Sequence, residues 1–182
     1  AIVAERFVPT GDTPLILVHN CRSALARMAA RYFGYPDRSL RLVGITGTNG
    51  KTTTALIVRS ILEEAGEKCG YIGTLGYQID AAIEKGRNTT PESPELHELL
   101  YQMVATGNRA AVLEVSSHAL ALDRVAGIHF DAAVFTNFTR DHLDFHETEA
   151  QYLAAKLCLF HDRPEFANGQ AAINLDDPTA SL

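Results

Sequence analysis

The sequence predicts an α/β domain with a mostly parallel sheet and helices on both faces, as in P-loop nucleotide-binding proteins. Along the 182 residues, short apolar runs alternate with amphipathic stretches, a pattern typical of parallel strands joined by crossover helices. The glycine-rich segment GTNGKTT, residues 47–53, lies between an apolar run and a helix-like stretch. A phosphate-binding loop requires this context, so the segment supports the same fold class.

The elements of the first half follow from apolar runs and from capping residues. Residues 14–19 predict a strand, and Asn20 can cap a helix that ends near Gly34 and Pro36. That helix is expected to place four apolar side chains on one face: Leu25, Met28, Ala29 and Tyr32. Residues 40–46 are predicted to form a buried strand and residues 51–65 a helix that ends at Gly66. A further strand is predicted at residues 69–74.

The second half continues the alternation. Pro94 stands at the favoured first position of a helix predicted for residues 93–105. Thr148 and Gln151 have the spacing of a capping box and begin a helix that runs to about residue 160. Three further strands are predicted at residues 110–115, 132–136 and 171–174.

Composition and length restrict the class of protein. A mass of 19.8 kDa, with 46% hydrophobic and 21% charged residues, indicates one globular domain with a sizeable core. The net charge of −6 argues against a nucleic-acid binder, and no apolar run approaches the roughly 18 residues that span a membrane. The three cysteines are far apart in the sequence, which indicates a reducing compartment, the cytoplasm.

Residues 47–53 give the strongest functional signal. Their glycines let backbone amides face inward, and the start of the following helix adds positive potential. Lys51 can reach the outer phosphates of a nucleotide, and the Thr52 hydroxyl can bind Mg²⁺. The segment is shorter than the general P-loop pattern, because Ile45 stands where that pattern has its first glycine.

Glu114 ends the apolar run AAVLE. An acid at the carboxyl end of a strand in an α/β sheet points to the ligand crevice, where it can hold Mg²⁺ directly or through water. By itself it is equally well explained as a strand-end charge that faces solvent. The neighbouring phosphate loop favours the metal site.

Two other polar segments are candidates for substrate binding. Ser116, Ser117 and His118 follow the same strand, with Arg124 shortly after, and suit a polar ligand. No G-x-S-x-G pattern accompanies them, which argues against a serine hydrolase. The segment NTTPE, residues 88–92, can hydrogen-bond a substrate or can equally be a simple turn and helix cap.

The segment NFTRDHLDFH, residues 137–146, follows another predicted strand. His142 and His146 stand four residues apart with Asp141 and Asp144 nearby, so a zinc site is conceivable, but no HExxH or CxxC pattern supports it. A single histidine that contacts Mg²⁺ or substrate is the favoured interpretation, although imidazole is an unusual ligand of magnesium.

Lys156 stands among apolar residues, four residues from both Tyr152 and Phe160. An ammonium group in such a stripe is costly, and position alone favours a surface lysine whose stem lies along the helix. Burial would instead lower the pKa of the amine and leave it nucleophilic. Such an amine can take up CO₂ and become a carbamate.

Together, the motifs GTNGKTT, NTTPE, EVSSHALAL with Arg124, NFTRDHLDFH and YLAAKLCLF resemble the Mur ligase family. The pair EVSSH and NTTPE is most similar to the MurE type, which adds the third residue of the peptidoglycan stem peptide. The resemblance is clear over residues 40–176 and weaker over 1–39. It implies three domains, of which residues 1–18 end the N-terminal uridine-nucleotide domain. Residues 19–182 would form an incomplete central ATP-binding domain, and the C-terminal amino-acid domain would be absent, so we expect this fragment to be inactive by itself.

The resemblance also implies roles for individual residues. ATP would bind at Gly47, Thr48, Asn49, Gly50, Lys51, Thr52 and Thr53. Mg²⁺ would be held by Thr52, Glu114 and His142. The UDP-linked muramoyl dipeptide would contact Asn88, Thr89, Thr90, Ser116 and Arg124. The residues implied in catalysis are Lys51, His142 and a carbamylated Lys156.

The implied reaction is ATP-dependent amide formation in peptidoglycan precursor synthesis. The dipeptide carboxylate attacks the γ-phosphate to give an acyl phosphate, and a free diamino acid, meso-diaminopimelate or L-lysine, displaces phosphate. Lys51, Mg²⁺ and Arg124 would offset the repulsion between the two anions. We expect a monomer that binds neither nucleic acid nor membrane. The alternatives are a folylpolyglutamate- or cyanophycin-synthetase-like ligase, or an ATP-binding module without catalysis.

Overall fold

The computed structural model describes residues 1–160 and 169–181, and in them the predicted α/β class is confirmed. A seven-stranded sheet has the order β6-β5-β4-β7-β3-β8-β9. Five of its strands are parallel, and β5 and β6 extend one edge in the antiparallel sense. The strands are β3 Arg41–Thr46, β4 Cys69–Gly73, β5 Gly76–Gln78, β6 Ile83–Glu84, β7 Ala110–Glu114, β8 Ala132–Phe135 and β9 Gln170–Ile173.

Helices connect these strands, and the predicted caps form. The Asn20 side chain accepts from the Ser23 N–H at 2.9 Å, and that of Thr148 accepts from the Gln151 N–H at 3.2 Å. No helix of the described residues is long and apolar enough to cross a membrane. The helices are α1 Cys21–Tyr32, α2 Lys51–Glu64, α3 Ser93–Ala105, α4 Ser117–Ala121, α5 Leu143–His146 and α6 Glu149–Leu157.

The first residues form a separate two-stranded sheet. Strand β1, Ile2–Ala4, pairs in parallel with β2, Leu15–Leu17, which confirms a strand within residues 14–19. The Asn20 amide, which follows this sheet, donates to the Asp123 carboxylate at 2.7 Å. This bond connects the start of α1 to the loop after α4.

The predicted apolar face of α1 is wrong. Leu25, Met28 and Tyr32 are exposed by 42%, 47% and 83%, and of the predicted set only Ala29 is buried. The buried side instead consists of alanines: Ala26, Ala29 and Ala30. Because α1 packs against α3, and small side chains let two helices approach closely, the alanines take the interface while the large apolar residues remain outside.

The core lies on both faces of the sheet. Side chains of β7 alternate between the faces: Leu113 packs with Leu96 and Leu100 of α3, whereas Val112 joins the cluster that contains Ala55 of α2. Because both faces are covered, the carboxyl ends of β3, β4, β7 and β8 remain as the accessible edge of the parallel sheet. The loops that follow these four strands build the candidate site.

Candidate functional site

The predicted phosphate-binding loop joins β3 to α2 at this edge. Gly50 adopts a left-handed conformation, with φ of 80°, at the N-cap of α2. The first four N–H groups of a helix have no partner within it, so those of residues 50–53 can receive an anion. The backbone therefore has the arrangement that the sequence predicted.

Residues after β8 hold this loop in place. The Thr48 N–H donates to the Asn137 carbonyl at 2.8 Å, and the Asn49 N–H donates to the Asn137 side chain at 2.9 Å. The Thr136 hydroxyl donates to the Asn49 carbonyl at 2.7 Å. Sequence reasoning missed Thr136 and Asn137 as site residues, because nothing local shows that β8 lies beside β3.

Replacing Gly47 with alanine should lower the free energy of unfolding by about 2–3 kcal/mol. Its φ is 139°, and a methyl group there would overlap the Thr136 hydroxyl and lie 3.1 Å from the Asn137 backbone. Gly50→Ala is the matched control: its φ of 80° is also unfavourable, but no atom lies within 4 Å of the new methyl group. It should cost about 1 kcal/mol. Chemical denaturation compares the variants, and equal losses would contradict this account.

Lys51 folds back over the loop. Its Nζ donates to the carbonyls of Gly47 and Thr48 at 3.0 and 2.9 Å. Burial lowers the pKa of Lys51, while the negative charges of Glu114 and Asp141 act in the opposite direction. The ammonium thus lies among carbonyls at the mouth of the loop, where a phosphate group can replace them as its partner.

Glu114 is fully buried at the end of β7, so it is not a charge that faces solvent. One oxygen accepts from the Tyr71 hydroxyl and from the Thr74 N–H, the latter at 3.1 Å. The other accepts from the hydroxyls of Thr52 and Thr74, both at 3.0 Å. Burial, and then the hydrogen bond to Glu114, raise the pKa of Tyr71, so Tyr71 keeps its proton and acts as a donor. Neither Tyr71 nor Thr74 was predicted.

The oxygens of Thr52 and Glu114 suit a magnesium ion. Their separation of 3.0 Å matches the distance of about 3 Å between adjacent ligands of an octahedral ion at 2.0–2.1 Å. Both are oxygen donors, which Mg²⁺ prefers, and the carboxylate supplies a negative charge. Two of the three predicted metal ligands are therefore adjacent.

The five predicted substrate residues line one cavity of about 310 Å³, together with Lys51 and His142. Thr74 and His118 complete its wall. The predicted residues come from three separate segments, and the carboxyl edge of the sheet brings them together. Their roles remain predictions, but their common location follows from the topology. They are Asn88, Thr89, Thr90, Ser116 and Arg124.

Within this cavity, Thr90 and Arg124 form hydrogen bonds and an ion pair with other residues of the chain. The buried Thr90 hydroxyl donates to the Glu114 carbonyl at 2.8 Å. The Arg124 guanidinium donates to the Thr90 carbonyl at 3.0 Å and pairs with Glu92 at 2.8 Å. Glu92 also pairs with Arg22 of α1 at 2.6 Å. These contacts hold the Arg124 guanidinium at the cavity wall.

The histidines separate into an inner and an outer position. His146 is buried and shares a hydrogen bond of 2.9 Å with the Ser117 hydroxyl. His142 has a left-handed backbone, with φ of 51°, and lines the cavity with its ring 5.0 Å from that of His118. In the part of the chain that the structure describes, no three His, Cys, Asp or Glu side chains form a metal cluster. The zinc alternative therefore has no support there.

Lys156 is buried, with 1% of its surface exposed, and the surface interpretation that position alone favoured is wrong. Its Nζ donates to the Gly47 carbonyl at 2.8 Å and lies 4.4 Å from the centre of the Tyr152 ring. Burial, and then the positive charge of Lys51, lower the pKa of Lys156 to about 7. The amine therefore lies against the phosphate loop, and its lowered pKa favours the neutral form.

A family profile described as the Mur ligase middle domain matches residues 45–182. The chain belongs to the Mur ligase family. The resemblance seen in the motifs is thus confirmed.

Curated Mur ligases resemble the chain closely over nearly its whole length. It is 50% identical over 177 residues to the UDP-N-acetylmuramoyl-L-alanyl-D-glutamate–2,6-diaminopimelate ligase of Clostridium perfringens, and 44% identical over 189 residues to that of Bacillus licheniformis. These alignments cover 97% and 100% of the chain. They cover 36% and 38% of the two relatives, so the chain spans just over a third of their length.

Solved structures agree with the family. The structure of a UDP-N-acetylmuramoyl-L-alanyl-D-glutamate–2,6-diaminopimelate ligase superposes on this Mur ligase chain with a TM-score of 0.80 at 30% identity. The match covers 100% of this chain and 36% of the ligase. The folylpolyglutamate synthase of Mycobacterium tuberculosis, solved with ADP and AMPPCP, has a TM-score of 0.67 at 17% identity, over 87% of this chain and 43% of its own. The second similarity shows a shared fold.

Proposed function

We propose that the chain is the ATP-binding part of a ligase that joins a diamino acid to UDP-N-acetylmuramoyl-L-alanyl-D-glutamate. The observation that supports this most is the single cavity in which Lys51 of the phosphate loop meets the segments 88–90 and 116–124. The relatives named as 2,6-diaminopimelate ligases favour that amino acid over L-lysine. We retain the proposed division into residues 1–18 and 19–182, because the first two strands form their own sheet.

In the proposed reaction, the protein positions two anions and offsets their repulsion. A carboxylate oxygen of the dipeptide bonds to the γ-phosphorus of ATP while the bond to the bridging oxygen breaks and ADP leaves. Lys51 would hold the transferring phosphoryl group, and Arg124 would hold the UDP-linked substrate. The amine then attacks the acyl carbon, phosphate leaves, and the amine proton passes to solvent.

Thr52 and Glu114 would hold the magnesium ion, with His142 at the cavity wall as the third proposed ligand. The ion supplies charge neutralisation to the phosphate oxygens when it is bound. Glu114 is kept in one orientation by Tyr71 and Thr74, so the lone pair that faces Thr52 has a fixed direction. Such supporting contacts make a carboxylate a better defined ligand.

Lys156 is proposed to carry a carbamate in the active enzyme. Its ammonium form would lose one proton to give the neutral amine, which would bond to the carbon of CO₂ and release a second proton to solvent. The two steps together turn a cation into an anion. The buried position beside Gly47 and the lowered pKa of the amine support this proposal. The carbamate would offset the positive charge that Lys51 and the metal concentrate near the loop.

We also propose that the enzyme acts in the cytoplasm, because the cysteines are free thiols and the reaction consumes ATP. Its monomeric state, and the inactivity of this part alone, remain predictions. A folylpolyglutamate-type ligase shares the fold, but its identity to this chain is 17%, against 50% for the diaminopimelate ligase. An ATP-binding module without catalysis would have no need of Arg124 and residues 88–90 beside Lys51.

The test is phosphate release from ATP by the complete enzyme. Release should require both UDP-N-acetylmuramoyl-L-alanyl-D-glutamate and the amino acid, and diaminopimelate should support it better than lysine. Each substrate is omitted in turn as a control. Turnover with a folate substrate instead, or ATP binding without substrate-dependent turnover, would exclude the proposed function.

A further inference from the structure

Thr74 connects the proposed metal carboxylate to the substrate cavity. It follows β4, lines the cavity, and lies between Glu114 and Thr89. Its backbone N–H and its hydroxyl both contact Glu114, at 3.1 and 3.0 Å. Its hydroxyl oxygen is also 3.2 Å from the Thr89 hydroxyl oxygen. Two hydroxyls and a carboxylate therefore form a continuous chain of hydrogen bonds.

The direction of these hydrogen bonds follows from the number of protons available. An ionised carboxylate only accepts, whereas a hydroxyl has one proton and two lone pairs. Four donors, two of them from Thr74, converge on the oxygens of Glu114. The Thr74 hydroxyl must therefore donate to Glu114, and it can only accept from Thr89. The single proton of the Thr89 hydroxyl is used in that bond.

We propose that Thr74 is a positioning residue that fixes the Thr89 hydroxyl as an acceptor for an N–H or O–H group of the UDP-linked substrate. A carboxylate or phosphate oxygen is excluded from this position, because it would meet only the lone pairs of Thr89. An amide N–H of the dipeptide, or a sugar hydroxyl, satisfies them. The proposal rests on the proposed function, since it specifies which part of that substrate contacts Thr89.

The test compares variants of the complete enzyme. Thr74→Val keeps the shape of the side chain and the backbone N–H but removes the hydroxyl, so the KM for the UDP-linked substrate should rise about 10-fold. The KM for ATP should rise less than this, because Tyr71 and the Thr74 N–H still hold the proposed metal ligand Glu114. Thr74→Ser restores the hydroxyl and should behave like the wild type. Thr106→Val is the matched control, because that hydroxyl lies outside the cavity, where it contacts carbonyls of α3 and accepts from the Asn108 amide. Its loss should leave both KM values unchanged.

A double-mutant cycle separates a hydrogen-bond chain from two independent contacts. With the chain, Thr74→Val and Thr89→Val together should raise the KM no more than Thr89→Val alone. The proposal would be overturned if the two substitutions raised the KM by factors that multiply in the double variant. It would also be overturned if Thr74→Val left the KM unchanged, or if Thr74→Ser failed to restore binding.

A second double-mutant cycle uses the same variants and measures the midpoint temperature of their thermal unfolding. It tests the hydrogen bond between Thr74 and Thr89 without any substrate. If the wild type shows no turnover, the proposed function fails, and this second cycle still decides whether the bond exists. Shifts of the midpoint temperature that are not additive in the double variant would support the bond. Additive shifts would overturn it.

Discussion

Replacing Lys51 with alanine should reduce substrate-dependent phosphate release by about 100-fold or more while leaving the fold intact. Lys51 belongs to the phosphate loop itself, and its bonds to Gly47 and Thr48 place it where the transferring phosphate would bind. Removing one group that stabilises developing negative charge costs on the order of 10²–10³-fold in rate. Steady-state kinetics at saturating ATP and Mg²⁺ measure the loss.

Two controls make this result specific. Lys85→Ala removes an exposed lysine outside the cavity and should keep the wild-type rate. Circular dichroism of Lys51→Ala should match the wild type, because the aliphatic stem contributes little to the core. A Lys51→Ala variant with near-normal turnover would show that another group neutralises the phosphate.

Replacing Lys156 should be equally severe, and we expect Lys156→Ala to lose at least about 100-fold in turnover. Lys156→Met fills the same buried space without a reactive amine and should lose as much. Lys156→Arg should fail too, because a guanidinium stays charged and is a poor nucleophile towards CO₂. Measurement of turnover in CO₂-free buffer, and again with added bicarbonate, compares the three variants with the wild type.

Carbamylation of Lys156 leads to two further expected results, one for Lys156→Ala and one for the wild type. Acetate or formate should partly restore Lys156→Ala, because a small carboxylate can stand in for the carbamate. Bicarbonate should activate the wild type above pH 7 and progressively less below it. The pKa of the amine is lowered to about 7, so acid converts it to the ammonium form, which cannot attack CO₂.

The contrary outcomes identify a different role. If Lys156 only holds the loop through the Gly47 carbonyl, Lys156→Met is inactive, but neither CO₂ nor acetate has any effect. If Lys156→Ala keeps full activity in CO₂-free buffer, the carbamate proposal is wrong. A wild type that responds to bicarbonate equally at pH 6 and pH 8 would also contradict it.

The sequence by itself determined the parts of this Mur ligase chain that depend on neighbouring residues. Glycines, capping side chains and proline at a helix start act within a few residues, and for this reason the loop at residues 47–53 and the bounds of α3 were predicted correctly. The caps at Asn20 and Thr148 were predicted for the same reason. The short elements β5, β6, α4 and α5 were missed, because a few residues give too little periodicity.

The tertiary structure decided which side chains meet across the sheet edge. Lys156 lies against Gly47 although 109 residues separate them, and Tyr71 and Thr74 reach Glu114 from another strand. Position on its own helix could not reveal that Lys156 is buried, nor that the alanine side of α1 forms the interface. Burial and hydrogen bonding depend on which strands are neighbours, and strand order is set by packing of the whole sheet rather than by any local segment.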